Sequence, residues 1–216
     1  MKVHSDSFPD GSVIPVGFAF GKMDPTAHVA LSDNRNPHLA WGEFPAQTRS
    51  FAVVCHDYDV PSKPDDVNQE GREIPASLAR VDFFHWVLVD LPLSITAIAD
   101  GEFSRQVTPK GQSGPETRHG ARHGINDFTQ WFAADHDMRG DYYGYDGPCP
   151  PWNDSLAHHY VFTVYALDVE RLPIEGRFDG RQALEVIARH TLAKGSVSGV
   201  YSLNPRVAAA IAPGAA

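Results

Sequence analysis

The sequence predicts a mainly β domain, a sandwich or barrel with at least one late helix. Three observations lead there. The 216 residues include 18 glycines and 17 prolines, a supply of turn formers that suits short strands over long helices. Three runs are dense in β-branched and aromatic residues: FAVVC (51–55), FFHWVLVDL (83–91) and HHYVFTVYALD (158–168). Only one segment, RQALEVIARHTLAK (181–194), spaces its apolar residues as a helix does.

In chain order, Ser12–Phe20 reads as a first strand that Pro15 confines to an edge or a bulge. Phe51–Cys55 is a continuous apolar run, hence a buried strand, and it ends in the polar cluster His56-Asp57-Tyr58-Asp59. The interval Pro61–Ile74 is polar and turn-rich, an exposed insertion. In 83–91, alternation puts His85, Val87, Val89 and Leu91 on one face and Phe84, Trp86, Leu88 and Asp90 on the other. From Glu102 to Tyr145 periodicity is lost, with aromatic anchors at Phe128, Trp131 and Phe132. Gly144–Asp168 joins a Gly/Pro loop to a strand and so delivers His158, His159 and Tyr160 at a strand mouth. Leu184, Ile187, Ala188 and Thr191 give the late helix, with Gly195 as its C-cap, then Val197–Leu203 as a last strand and a tail that frays from Val207. One domain spans 1–216, with insertions at about 63–82 and 108–143 and the frayed tail at 207–216.

Composition excludes some functions. The formal charge is 18 − 27 = −9 with no basic stripe, which argues against a nucleic-acid partner. No apolar run approaches the ~18 residues of a transmembrane segment, and the polar start MKVHSDSFPDGS lacks a signal core, so a cytoplasmic location is expected. Cys55 and Cys149 are then reduced thiols; Cys149 reads as a small side chain packed under its loop, with a functional thiol as the alternative. His119 and His123 have the i, i+4 spacing of a metal pair, but each precedes a glycine and no third ligand has a fixed spacing. A solvated loop is the preferred reading, and no metal or cofactor is expected.

Three polar clusters remain at the ends of buried strands: Asp57 with Asp59, His85, and His158 with Tyr160. Taken singly, His85 reads as a satisfied core histidine and each Asp as a turn cap; only their convergence makes a site. Residues two apart share a face of a strand, so Asp57 is expected beside Asp59 and His158 beside Tyr160.

These segments resemble the phosphatidylethanolamine-binding protein family, also called Raf kinase inhibitor-like proteins, in its bacterial branch. FAVVCHDYDVPS stands where the family has Asp-Pro-Asp-x-Pro, with Tyr58 in place of the proline. His85 in HWVLVDLP matches the family histidine. Gly144, Gly147, Pro148 and Pro150, followed by His158 and Tyr160, match its Gly-x-x-Gly-Pro-x-Pro…His-x-Tyr motif. The resemblance covers about residues 10–205. It implies a Greek-key β-sandwich with a C-terminal helix and an anion pocket for a phosphate or a phospholipid-like head group. Carried onto this sequence, the ligand-binding set is Asp57, Asp59, His85, Gly147, Pro148, His158 and Tyr160. Imidazolium forms of His85 or His158 and the backbone N–H groups near Gly147 are the expected anion donors, with the carboxylates orienting the imidazoles.

The implied function is a non-catalytic binding or regulatory protein, with a kinase or other protein as a candidate partner. The alternative is a hydrolase of phosphoesters or esters using the His/Asp/Tyr pocket, for which Ser155 and Cys149 are the nearest nucleophiles. The resemblance also raises a homodimer; Trp131 and Phe132 then form its patch, or else pin their insertion to the domain.

Overall fold

The computed structural model describes residues 1–212 and Gly214. Its strands are β1 (Lys2–His4), β2 (Ser12–Val13), β3 (Gly21–Asp24), β4 (His28–Leu31), β5 (Leu39–Gly42), β6 (Ser50–Pro61), β7 (Arg80–Pro92), β8 (Ala97–Ile98), β9 (Arg122–His123), β10 (His158–Leu167) and β11 (Thr191–Tyr201). Helices are α1 (Phe128–Trp131), α2 (Gly180–His190) and α3 (Pro205–Ile211). The main sheet has the order β2-β11-β10-β6-β7-β9, and β1-β5-β8 forms a second sheet. β6 and β7 are neighbours in sequence and in space, as are β10 and β11, and a long connection returns the chain from β7 to lay β10 beside β6. That is a Greek-key arrangement, and the mainly β class with its sandwich form is as the sequence predicts.

FAVVC is apolar without interruption because the main sheet is covered on both faces. Phe51, Val53 and Cys55 join Trp41, Leu39 and Ile98 in the core between the two sheets. Ala52 and Val54 face the other way, against Ala183 and Ile187 of α2.

Strict alternation fails along β7, and the failure positions a side chain. Cys55 pairs with Trp86 but His56 pairs with Phe84, so His85 is an extra residue with no partner on β6. Phe84 consequently joins Val87 and Val89 on the α2 side, while Trp86 and Leu88 face the inter-sheet core. A bulge of this kind re-aims one side chain while keeping the flanking ladder.

The late helix is shorter than the spacing predicts. α2 ends at His190, and Thr191 is already extended (φ −76°, ψ 119°). The reason is tertiary: residues from Thr191 onward pair with β10, Thr191 opposite Leu167, and ladder bonds outweigh local helix preference. Gly195 is therefore not a C-cap but a strand residue opposite Val164, where a Cβ would lie 2.8 Å from the Met1 carbonyl oxygen. Ser12–Phe20 yields only the two-residue β2 at the sheet edge, then a 3-10 turn at Val16–Phe18 after Pro15. The tail expected to fray is helical as far as Ile211, its start capped by the Asn204 side chain accepting from the Arg206 N–H (3.0 Å). Pro213, Ala215 and Ala216 lie outside the described residues. No described helix is long and apolar enough to cross a membrane.

Candidate functional site

A cavity of about 300 Å³ opens where β6, β7 and β10 end together. Asp57 and Tyr160 are cross-strand partners, and the bulge brings the His85 ring to 5.1 Å from the Tyr160 ring, edge to face. His158 precedes Tyr160 on the same face, so the strands alone gather Asp57, His85, His158 and Tyr160 at the closed end. Loops and α1 supply the apolar walls: Pro150 and Pro151 from the Gly/Pro loop, Pro64 and Val67 from the β6–β7 connection, Trp131 and Phe132 from the aromatic segment.

The two histidines differ in charge. His85 Nδ1 lies 2.8 Å from the Asp146 carbonyl oxygen, which only accepts, so Nδ1 carries the proton and Nε2 has a free lone pair. Burial pushes its pKa down to about 4, against the opposing pull of the Asp57 charge. His85 is thus neutral at pH 7. His158 is also buried, but its Nδ1 donates to Asp57 Oδ2 (2.7 Å) and its Nε2 to Asp154 Oδ2 (3.0 Å). Burial works against its charge, yet the two carboxylates prevail and raise its pKa to about 9. Arg80 closes the chain with a two-pronged contact to Asp154, at 2.5 Å to Oδ2 and 3.1 Å to Oδ1. The result is an alternating Arg80–Asp154–His158–Asp57 series that leaves no imidazolium N–H free for a ligand.

Tyr160 is the exception to this saturation. It is wholly buried, and its hydroxyl makes no hydrogen bond of ordinary geometry within the protein, the neighbouring acceptor being the Asp57 carboxylate. Burial, then the nearby Asp57 charge, pushes its pKa well above the usual phenol value, so it is a donor at any ordinary pH.

Three of the sequence-predicted residues lie off the cavity wall. Asp59 does not share the face of Asp57, because β6 and β7 slip register between Asp57 and Val60. Its Oδ2 accepts from the N–H (2.9 Å) and Nδ1 (2.8 Å) of His159 on the opposite face of β10. The Gly147 N–H, expected to face an anion, donates instead to Asn34 Oδ1 (2.8 Å); a Cβ there would lie 2.1 Å from the Phe18 carbonyl oxygen. The Pro148 carbonyl accepts from the N–H groups of Phe20 (2.9 Å) and Gly21 (3.1 Å). These two residues therefore anchor the loop, and Cys149, Pro150 and Pro151 form its cavity side. Tyr58 is 43% exposed and stacks on His159, away from the mouth.

Asp154, Arg80 and Asp146 escape the sequence reading. Asp154 had a readable signal, four residues before His158 within one motif. Arg80 had none, since only the β7 start brings it to Asp154. Asp146 is buried behind His85, holds Asn34 and Asn126 amides at 2.8 Å each, and has its pKa raised by burial to about 7. The nucleophile candidates are occupied or subdued: the Ser155 hydroxyl donates to the Ile74 carbonyl (2.7 Å), and burial pushes the Cys149 thiol up to about 12. His119 bonds Glu102 and His123 accepts from the Trp86 indole, so the two do not form a pair. Among the described residues no group of three or more potential ligands is arranged for a metal ion.

The family model for phosphatidylethanolamine-binding protein matches residues 4–202. The chain belongs to this family. Among relatives, the UPF0098 protein YbhB of Escherichia coli K12 is 30% identical over 203 residues, covering 94% of this chain and all of that protein. The UPF0098 protein YbcL of the same strain is 27% identical over 188 residues, 85% of this chain and 82% of YbcL. The crystal structure of YbcL, described as a new member of the mammalian PEBP family, superposes with a TM-score of 0.62 at 24% identity, covering 93% of this chain and 97% of that one. The putative PEBP homolog CT736 of Chlamydia trachomatis gives 0.62 at 22% identity over 93% and 96%. These likenesses show that the fold is that of the family.

Proposed function

We propose that this family member is a binding protein that holds, without transforming, a small molecule by an oxyanion head, a phosphate monoester or an acid of like shape. The observation that carries the reading is the buried Tyr160 hydroxyl, without a hydrogen bond of ordinary geometry, on a ring whose centroid lies 5.1 Å from that of His85. Together they offer one donor and one acceptor. A singly protonated phosphate matches both: one P–O⁻ accepts from Tyr160 while its P–OH donates to His85. His158 contributes by fixing Asp57, not by donating to the ligand. Membership of a family named for a phosphorylated lipid supports a phosphate-bearing ligand.

Calorimetric titration with inorganic phosphate and phosphorylethanolamine from pH 5.5 to 8 tests this. Affinity falls as pH rises above the second pKa of each probe, about 6 for the monoester and about one unit higher for inorganic phosphate, because the dianion has no proton for His85 Nε2. Affinity that is flat or rises to pH 8 overturns the assignment. His85→Ala abolishes binding with the fold retained. Steady release of nitrophenol from a nitrophenyl phosphate, lost in His85→Ala, would turn the reading toward a hydrolase.

A further inference from the structure

The connection 62–79 has no helix or strand and a polar sequence, so it has no core of its own. Its middle is tied to the rest of the domain chiefly by one side chain, with Ser155 and Arg80 holding the Ile74 and Pro75 carbonyls beyond it. Asn153, 4% exposed, donates from Nδ2 to the carbonyls of Asp66 (2.8 Å), Arg72 (3.2 Å) and Gln69 (3.4 Å), and its Oδ1 accepts from the Asn68 N–H (3.0 Å). Neighbouring bonds reinforce it: Ile74 N–H to the Asn153 carbonyl (3.0 Å) and Trp152 N–H to Asn68 Oδ1 (3.1 Å). The outer rim is fastened separately, with the His28 ring stacked 4.0 Å from Trp152 and its Nε2 2.6 Å from Glu70 Oε1.

The connection thus presents Pro64, Val67 and Asn68 to the cavity. Trp131, 50% exposed, and Phe132 line the same space. At about 300 Å³ the cavity sits at the small end of ligand pockets, room for one compact molecule. The Tyr160 hydroxyl at its closed end calls for a single polar head, and outward of that head the connection, the Gly/Pro loop and α1 offer mostly apolar side chains, with Asn68 at the connection as the polar exception.

We propose that the 62–79 connection, pinned by Asn153, is a selectivity wall that makes this cavity a site for single-headed molecules with a compact apolar body, an aryl or short branched alkyl group. The inference rests on the oxyanion reading of the closed end. Asn153 is a positioning residue: it acts through Val67 and Pro64 and does not touch the ligand.

Titration of the full chain at pH 6 with two probes, inorganic phosphate and phenyl phosphate, tests it. Wild type binds phenyl phosphate about tenfold more tightly than phosphate, from partial burial of the ring. Asn153→Ala and Val67→Ser each shrink that preference to about threefold or less and leave phosphate affinity unchanged, a split that general loosening of the fold would not give. Should Asn153→Ala fail to fold, Val67→Ser decides. Phosphate binding with no preference for the phenyl ester in wild type overturns the wall and leaves the head reading standing. A preference that survives both substitutions also overturns the wall. Failure of both probes to bind wild type overturns the head reading and the wall with it.

Discussion

The two ends of the cavity are built by different means. At the closed end, strand register places Asp57 opposite Tyr160, a bulge adds His85, and Arg80, Asp154 and His158 satisfy one another's charges. At the outer wall a polar connection borrows its shape from one asparagine amide. The first arrangement is costly to disturb, because removing one member strands a buried charge. The second can be altered locally, since the groups it releases lie near solvent.

The largest effect is expected at the closed end. Asp154→Ala takes the partner from Arg80 and one of two partners from His158, and should cost about 3–5 kcal/mol, read as a shift of the urea midpoint at constant slope. A loss below about 1 kcal/mol would show that these ions are solvated, not mutually bound. Asn153→Ala should cost less, about 1–3 kcal/mol. Its signature is local: hydrogen exchange at the Asn68 and Ile74 amides speeds up while β10 amides stay protected. Equal acceleration in both places would erase the distinction between the two ends.

How much of this was legible in the sequence follows the same division. Strand-borne features were legible, because FAVVC, HWVLVDL and HHYVFTVYALD carry both their β pattern and their family motif. Asp57, His158 and Tyr160 line the cavity from strand alternation alone, and His85 joins them through the bulge that alternation did not show. Features set by register slips or by tertiary pairing were not legible. The bulge that moves Phe84 to the α2 side, the turn of Asp59 toward His159, and the early end of α2 at Thr191 are decided by partners far away in sequence. The charge state of His85 departs from expectation for a related reason, since burial keeps it neutral, whereas His158 is charged as expected but spends both N–H groups on Asp57 and Asp154. The interval Pro61–Ile74 reads as an exposed insertion, and many of its residues are exposed, but Ile74 is fully buried and Val67 faces the cavity.

A smaller effect separates the histidines by pH. The folded pKa of His158 is raised to about 9 from 6.5, so its contribution to stability is full below pH 6.5 and is lost as pH rises through 9. The folded pKa of His85 is lowered to about 4, so the unfolded chain takes up that proton first, and stability is lost as pH falls from 6.5 through 4. Nitrogen-15 spectra of the imidazoles at pH 7.5 should show both N–H groups on His158 and a single Nδ1–H on His85. A neutral His158 at that pH would break the contrast between the two histidines. His85→Phe should make the acid limb of the stability curve shallower, the rest of it coming from His123, which burial lowers to about 3, and should leave the alkaline limb unchanged.

The smallest effect on stability is expected at Tyr160, and its sign is the informative part. A buried hydroxyl without a partner carries a desolvation cost that the folded protein does not recover. Tyr160→Phe keeps the ring and its edge-to-face contact with His85, so unfolding free energy should stay within about 1 kcal/mol of wild type or rise. Phosphate affinity should fall at the same time, by about tenfold for one lost hydrogen bond to a charged acceptor. If instead the variant is destabilised by several kcal/mol, the hydroxyl has an internal partner, with Asp57 the nearest carboxylate. If stability holds and affinity is unchanged, the head group sits elsewhere. Stability gained together with binding lost is what a donor kept free for a ligand should produce, because the ligand supplies the acceptor that the protein does not.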